Sequence, residues 1–501
     1  MARETVLVLD CGSTNITAFA VDADGRIVAS AGERNNPSPQ QGCPGDWRVW
    51  DLDELWGKVA SLASKVCAEA GGEGVRAVTV TTWGADGTPV AADGAPTYPP
   101  IAWQCPRTRP LADAVAPERA RHLYDVTGYQ VISFNAWFKM AWLRENAPEA
   151  LDEADKWMMM PGLLSQRLCG EVSLDATSAS TMMALDYRSG GWSEELLAEV
   201  GLDESFFPPL MYPGAVIGNV TAAASREIGV PEGTPVMATG HDTQFATIGS
   251  GAGPDEAVLS SGTWEILMLR TPGFEPDDVG FTEGLITELD AVRGLYNPQL
   301  LMMGSRVLEW VRENLYADVA GRESAYAAMI GEASAIEPGA GGVMMVPSFK
   351  PDAGPTKKHN TQGTIVGLGL TSMRAHVYRA AVEGLSFQLK DALRILTAAT
   401  GFEPKGIRVV GGGSRNGLWN QIRADVLGMP IALTGHKEAT VLGAAIAAWV
   451  GAGRFSDLEE GQRTLATETI HVEPGENAGR YAELAGRYGS LPPALEDFYS
   501  G

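Results

Sequence analysis

Apolar positions first gather in a run of four at residues 6–9 (VLVL), which closes on Asp10 and is followed by Gly-Ser-Thr. A second apolar run over 16–21 ends in the turn 22–25 (DADG), so the spacing predicts a β-hairpin with a polar tip. The same grammar returns in mid-chain, where residues 257–263 (AVLSSGT) lead into 264–270 (WEILMLR). The chain therefore reads as two related halves. A third strand over 407–410 runs into three glycines, 411–413, and then into a helix expected over 418–427. Further helical periodicity over 136–146 and 376–397 makes the whole an α/β chain. The pattern divides it into a first domain over 1–245, a second over 246–455 and a C-terminal extension over 456–501. The uncharged stretch 441–453 is rich in Ala and Gly and falls short of the roughly 18 apolar residues of a membrane span. It reads as a buried core helix.

Composition narrows the function more than the fold. The chain has 501 residues, 45% hydrophobic and 20% charged, which suits two or three folded domains. A formal charge of −24 repels nucleic acid and anionic membrane surfaces. It would repel a free nucleotide as well, so a nucleotide site here has to rely on local backbone donors, a metal and a few basic groups. The five cysteines, Cys11, Cys43, Cys67, Cys105 and Cys169, contain no CxxC pair, and residues 6–9 are too short for a signal-peptide core. A reducing, cytoplasmic setting is expected. Neither composition nor spacing decides between a monomer and a homodimer.

The polar tips carry the candidate chemistry. A strand-end aspartate followed by Gly-Ser-Thr supplies one carboxylate with hydroxyl and N–H donors in a tight turn. Asp10 can then hold Mg²⁺ while Ser13, Thr14 and Asn15 meet phosphate oxygens, although the same turn also serves plain hairpins. The second tip, with Gly262 and Thr263, adds small donors, and Gly411, Gly412 and Gly413 precede a helix as phosphate- or nucleotide-binding turns do. No Walker A pattern occurs, which excludes a P-loop enzyme. Asp242, in the segment 240–244 (GHDTQ), is placed to take a proton from an attacking hydroxyl; the plainer alternatives are a helix N-terminal aspartate or a solvated loop. The segments around Asp86 (TWGADG) and Trp103 (WQCPRT) combine aromatic faces with polar groups, as a sugar site does, though tryptophans are more often core.

Taken together, VLVLDCGSTN, AWQCPRT, GHDTQFA, LSSGTWEILM and VVGGGSRNGLWNQIRADVLGMP resemble the signature blocks of the FGGY carbohydrate kinases, in that family's order and spacing and across residues 5–455. Within the family, GHDTQFA, LSSGTWEILM, GLYNP (294–298) and VLEWVR (307–312) look most like the L-fuculokinase branch. The resemblance implies two ribonuclease H-like domains of the actin-like ATPase fold, closing on a catalytic cleft, with ATP and Mg²⁺ as cofactors and a small ketose as substrate. It also implies Asp10 and Asp242 at the metal, Ser13, Thr14, Asn15, Gly262 and Thr263 at the phosphates, and Gly411, Gly412 and Asn416 beside the nucleoside. Asp242 falls on the family's catalytic aspartate, and Asp86, Trp103, Asn135, Asp242 and Gln244 would meet the sugar. The branch implies conversion of L-fuculose to L-fuculose 1-phosphate. Thr82-Trp83-Gly84 is a pattern shared with rhamnulokinases, which keeps L-rhamnulose, D-ribulose and D-xylulose as alternatives. A non-catalytic actin-like ATPase scaffold is the reading from a different class.

Overall fold

The structure is a computed structural model that describes residues 3–350, 354–435, 438–466 and 468–500. The first expected hairpin forms as β1 (Thr5–Cys11) and β2 (Asn15–Asp22), joined by β3 (Ile27–Arg34), β4 (Val75–Thr82), β5 (Val216–Asn219) and β6 (Pro235–Met237). These make one sheet in the order β5-β6-β4-β1-β2-β3. Strands β1, β4 and β6 are parallel, and β2 and β3 run antiparallel to their neighbours. The central strands are covered on both faces, which is why β1 and β4 read as continuous apolar runs instead of alternating ones. Helix α1 (Leu52–Ala70) covers one face and is capped by Asp51, whose carboxylate accepts from the N–H groups of Asp53 and Glu54. Helix α2 (Ala136–Asn146) belongs to a lobe built on this domain, and the chain leaves the domain through α3 (Asp242–Ser250).

The second domain repeats the first. Strands β7 (Glu256–Ser261), β8 (Trp264–Met268), β9 (Ile286–Leu289), β10 (Tyr296–Met303), β11 (Gly406–Val410), β12 (Ile431–Thr434) and β13 (Thr469–Val472) form a sheet ordered β9-β10-β8-β7-β11-β12-β13. Its inner five, β10-β8-β7-β11-β12, match β3-β2-β1-β4-β6 in order and direction. The helices used below are α4 (Arg374–Thr400), α5 (Gly417–Leu427), α6 (Ala439–Gly451) and α7 (Ala478–Gly489).

Helices α3 and α6 join the domains. A Cβ at Gly249 would overlap the Ala439 carbonyl oxygen, and one at Gly443 would overlap that of Phe245, so the two backbones touch. Helix α6 also packs Val441, Leu442, Ala444 and Ala448 among Val6, Val8, Phe19 and Ala77 of the first sheet. Trp449 Nε1 donates to the Asp22 carbonyl at 3.1 Å. The apolar stretch around α6 is thus explained by burial between two domains, and among the described residues no helix is long and apolar enough to cross a membrane.

The boundary expected near residue 245 lies inside α3, because this helix continues unbroken from Asp242 to Ser250. Residues 456–501, expected as an extension, supply β13 to the second sheet and the buried face of α7. The Tyr481, Leu484 and Tyr488 spacing is that of one helix face turned to a core. Tyr481 OH receives a hydrogen bond from Arg379 at 2.6 Å and donates to Glu383 at 2.9 Å, anchoring α7 on α4.

Gly443→Val should lower stability by about 1–3 kcal/mol, whereas Gly417→Ala, whose added methyl meets open space, should be neutral or stabilising. Denaturant midpoints at unchanged slope check both.

Candidate active site

Register brings the two candidate aspartates together. Asp10 at the end of β1 lies opposite Thr81 of β4. Thr81 Oγ1 in turn donates to the Gly240 carbonyl at 2.8 Å, and Thr82 N to the same oxygen at 3.1 Å. The chain then turns at Gly240, which has positive φ and leaves no room for a Cβ against Asp175 and Thr177, and Asp242 opens α3. Burial and the nearby Asp242 and Glu438 carboxylates push Asp10 up to about 8. Burial also raises Asp242, a shift that His241, with Nε2 3.4 Å from Asp242 Oδ1, opposes. Although burial disfavours its charge, the Glu288 carboxylate at 3.0 Å from Nδ1 holds the His241 imidazole up to about 9.

Each hairpin tip is braced from below. Asn35 Nδ2 donates to the Gly12 carbonyl at 3.0 Å and Asn35 N to that of Thr14 at 2.9 Å, leaving Thr14 and Asn15 exposed and Ser13 half-buried. Under the second tip, Arg423 pairs with Glu265 and donates to Ser261 Oγ at 2.7 Å, while its guanidinium stacks 3.7 Å from the Trp419 ring. Gly262 and Thr263 lie above this buried group. The glycine loop rests on the same strand end: Gly411 has positive φ and faces the Ser261 carbonyl, a Cβ at Gly413 would strike Ser261 Oγ, and Gly412 faces open space.

Asn416, expected beside a nucleoside, also serves the fold. Its Oδ1 caps α5 by accepting from Trp419 N at 3.1 Å, and its Nδ2 donates to Tyr378 OH at 2.9 Å, so both polar ends are committed to the fold. Asp86 likewise has no exposed surface for a sugar hydroxyl. One oxygen accepts from Trp50 Nε1 at 2.6 Å, Trp83 Nε1 at 2.8 Å and Trp103 N at 3.1 Å, and the other pairs with the buried Lys139. Asp86, expected at the sugar, orients these groups. Trp83, tied to Asp86 and packed with its ring centroid 4.4 Å from that of Trp50, belongs to the same buried cluster. Trp103 is 37% exposed, with its ring edge-on to Phe134.

Asn135 and Gln244 are fully buried. Asn135 Nδ2 donates to the Thr181 carbonyl at 2.8 Å and Gln244 Nε2 to Glu288 Oε2 at 2.8 Å. The carbonyl oxygen of each has no hydrogen-bond partner among the described residues. Sequence reasoning missed Lys139, Glu288 and Glu438. A single charged residue inside an apolar stretch, as in AWFKMAWL and ITEL, was the available signal for the first two.

The model for the N-terminal domain of the FGGY family of carbohydrate kinases matches residues 5–249, and that for the C-terminal domain matches residues 257–452. The chain belongs to the FGGY family of carbohydrate kinases. It is 41% identical to an L-fuculokinase of Salmonella typhi over 463 residues, 92% of this chain and 95% of that relative. It is 39% identical to the L-fuculokinase of Escherichia coli strain K12 over 477 residues, 95% and 98% of the two chains. A glycerol kinase of Deinococcus radiodurans is 28% identical, with 91% of each chain covered. Among solved structures, the xylulose kinase of Rhodospirillum rubrum superposes with TM-score 0.84 at 23% identity, covering 99% of this chain and 100% of the other. A gluconate kinase of Lactobacillus acidophilus gives 0.89 at 21%, covering 99% of each. These two share the ribonuclease H-like, actin-like ATPase fold with this FGGY kinase.

Asp86→Asn strands the buried Lys139 charge, so a loss of about 3–5 kcal/mol is expected, checked by denaturant unfolding alongside the near-ultraviolet signal of the tryptophans. A second expectation concerns pH. The folded Asp10 carboxyl keeps its proton where the unfolded one, at 3.8, has lost it, so metal-free protein should lose stability as pH rises from 3.8 towards about 8 and no further above that. Asp10→Asn should remove this part of the slope, read from denaturation in chelator at several pH values.

Proposed function

We propose that this FGGY kinase is an L-fuculokinase, transferring the γ-phosphoryl group of ATP to O1 of L-fuculose to give L-fuculose 1-phosphate and ADP. The observation that carries the chemistry is Asp242 at the start of α3, beside Asp10 and open to the cleft. The choice of sugar rests on 36–41% identity to L-fuculokinases along more than nine-tenths of the chain. Five free cysteines, four of them buried, suit a reducing cytoplasm.

Phosphoryl transfer asks the protein mainly for alignment and charge neutralisation, with one base for the alcohol. Asp242 takes the O1 proton as O1 attacks in line. Asp10 and Asp242 fit a Mg²⁺ site, because the mutual repulsion that raises Asp10 is the kind a divalent cation relieves. When bound, Mg²⁺ would neutralise charge on the phosphates. Ser13, Thr14 and Asn15 from one tip and Gly262 and Thr263 from the other donate to phosphate oxygens from the two domains, and the open side of Gly412, beside Gly411, admits the nucleoside. Trp103 covers an apolar face of the sugar, held there by the Asp86 bond to its N–H. The buried Asn135 and Gln244 carbonyl oxygens, without partners among the described residues, are the acceptors offered to the sugar hydroxyls. Closure of the domains removes water from the reacting phosphate.

ATP-dependent turnover across L-fuculose, L-rhamnulose, D-ribulose, D-xylulose and glycerol should be highest on L-fuculose, with Asp242→Asn lowering kcat by about 10²–10⁴-fold. A different ketose in first place would overturn the sugar, and turnover of none would overturn the kinase mechanism.

A further inference from the structure

Glu288 has no part in the phosphate tips or the sugar face, yet it sits at the meeting point of three segments. It lies on β9, the edge strand of the second-domain sheet, and is 2% exposed. One of its oxygens accepts from Tyr129 OH of the first-domain lobe. The other faces His241 Nδ1 at 3.0 Å and accepts from Gln244 Nε2 at 2.8 Å. These last two residues flank Asp242, on either side of the first turn of α3. Its neighbours on β9 dock to the same lobe: Thr287 N donates to the Gly128 carbonyl at 2.8 Å, and Tyr187 OH donates to the Thr287 carbonyl at 3.2 Å. Just before β9, Gln130 Nε2 donates to the Leu285 carbonyl at 3.1 Å. Strand β9 is therefore seated on the first domain by main-chain and side-chain bonds together, with one carboxylate reaching past the seam to the turn that carries the base.

We infer that Glu288 is a positioning residue for phosphoryl transfer: it grips His241 and Gln244 from the second domain and so sets Asp242 at the attacking hydroxyl only when β9 is docked on the first-domain lobe. The inference rests on Asp242 being the base. Its chemistry is simple. A buried carboxylate offers up to four acceptor directions, and three are used here by donors from two other segments. The turn that carries the imidazole is held by more than Glu288. His241 N donates to Thr177 Oγ1 at 2.9 Å, and the ring lies close over Gly84, where only a glycine leaves it space. With Glu288 removed, the backbone of the turn stays anchored while the His241 and Gln244 side chains lose the partner that fixes their rotamers. The consequence is a mis-set base, a defect read in kcat, with ATP affinity untouched.

The test compares kcat and KM for the ketose and for ATP in the full-length protein and in Tyr129→Phe, Glu288→Gln and Glu288→Ala. Calorimetric ADP binding counts the folded, competent fraction of each. A misplacement of this kind costs on the order of 10²-fold, so kcat of Glu288→Ala should fall by about that factor while the ATP KM stays within about threefold. Glu288→Gln, which keeps acceptor and shape, should recover part of the loss, and Tyr129→Phe should lose least. Full kcat in Glu288→Ala, or a rise in KM with kcat unchanged, would overturn the inference; if Glu288→Ala does not fold, Glu288→Gln is judged by the same criteria. Retained activity in Asp242→Asn would instead remove the base assignment on which the inference stands, so the two failures are separable.

Discussion

The contact between α3 and α6 is the constraint on which the rest of the structure depends. Two helices can approach backbone to backbone only where side chains vanish, and Gly249 and Gly443 provide that at the crossing. Because α6 also lies on the first sheet, the segment that closes the second domain forms part of the first domain's core. The two halves are thereby joined through a thin, packed element, with the cleft and its hairpin tips on the side where α3 begins.

Buried charge is used around the cleft in one consistent way. Asp86 with Lys139 and Glu265 with Arg423 are sealed from solvent, Glu288 with His241 is largely so, and each lies behind an element of the candidate site. Such pairs contribute little net stability, since desolvation offsets much of their attraction, but they tolerate few alternative arrangements. The Asp86 group fixes Trp50, Trp83 and the Trp103 backbone. The Arg423 group supports the second hairpin tip, and the Glu288 group holds the turn that carries Asp242. A rigid second layer of this kind suits a reaction in which alignment supplies most of the rate.

Much of this was legible along the chain. The two hairpins, Asp10, the glycine loop and Asp242 stand out because apolar runs broken by small polar turns leave a local mark, and α2 appears at the expected 136–146. Asn416 and Asp86 were legible as polar residues in the right segments but not in their roles, because a side chain's hydrogen-bond partners lie tens of residues away. Trp50 reaches Asp86 across 36 positions, and Tyr378 reaches Asn416 across 38. Residues 456–501 looked peripheral for the same reason: β13 becomes a sheet strand only against β12.

The sequence by itself determined that there are two like halves, that each carries a donor-rich tip, and that an aspartate stands ahead of a helix between them. These follow from local periodicity and turn chemistry, which act over a few residues. Only the tertiary structure decided which carboxylates face a ligand and which face the protein, and that one helix pair serves both cores. It also decided that a glutamate of the second domain grips the turn of the first domain's base. Those outcomes depend on burial and on bonds between distant segments, and neither exists until the chain has closed on itself.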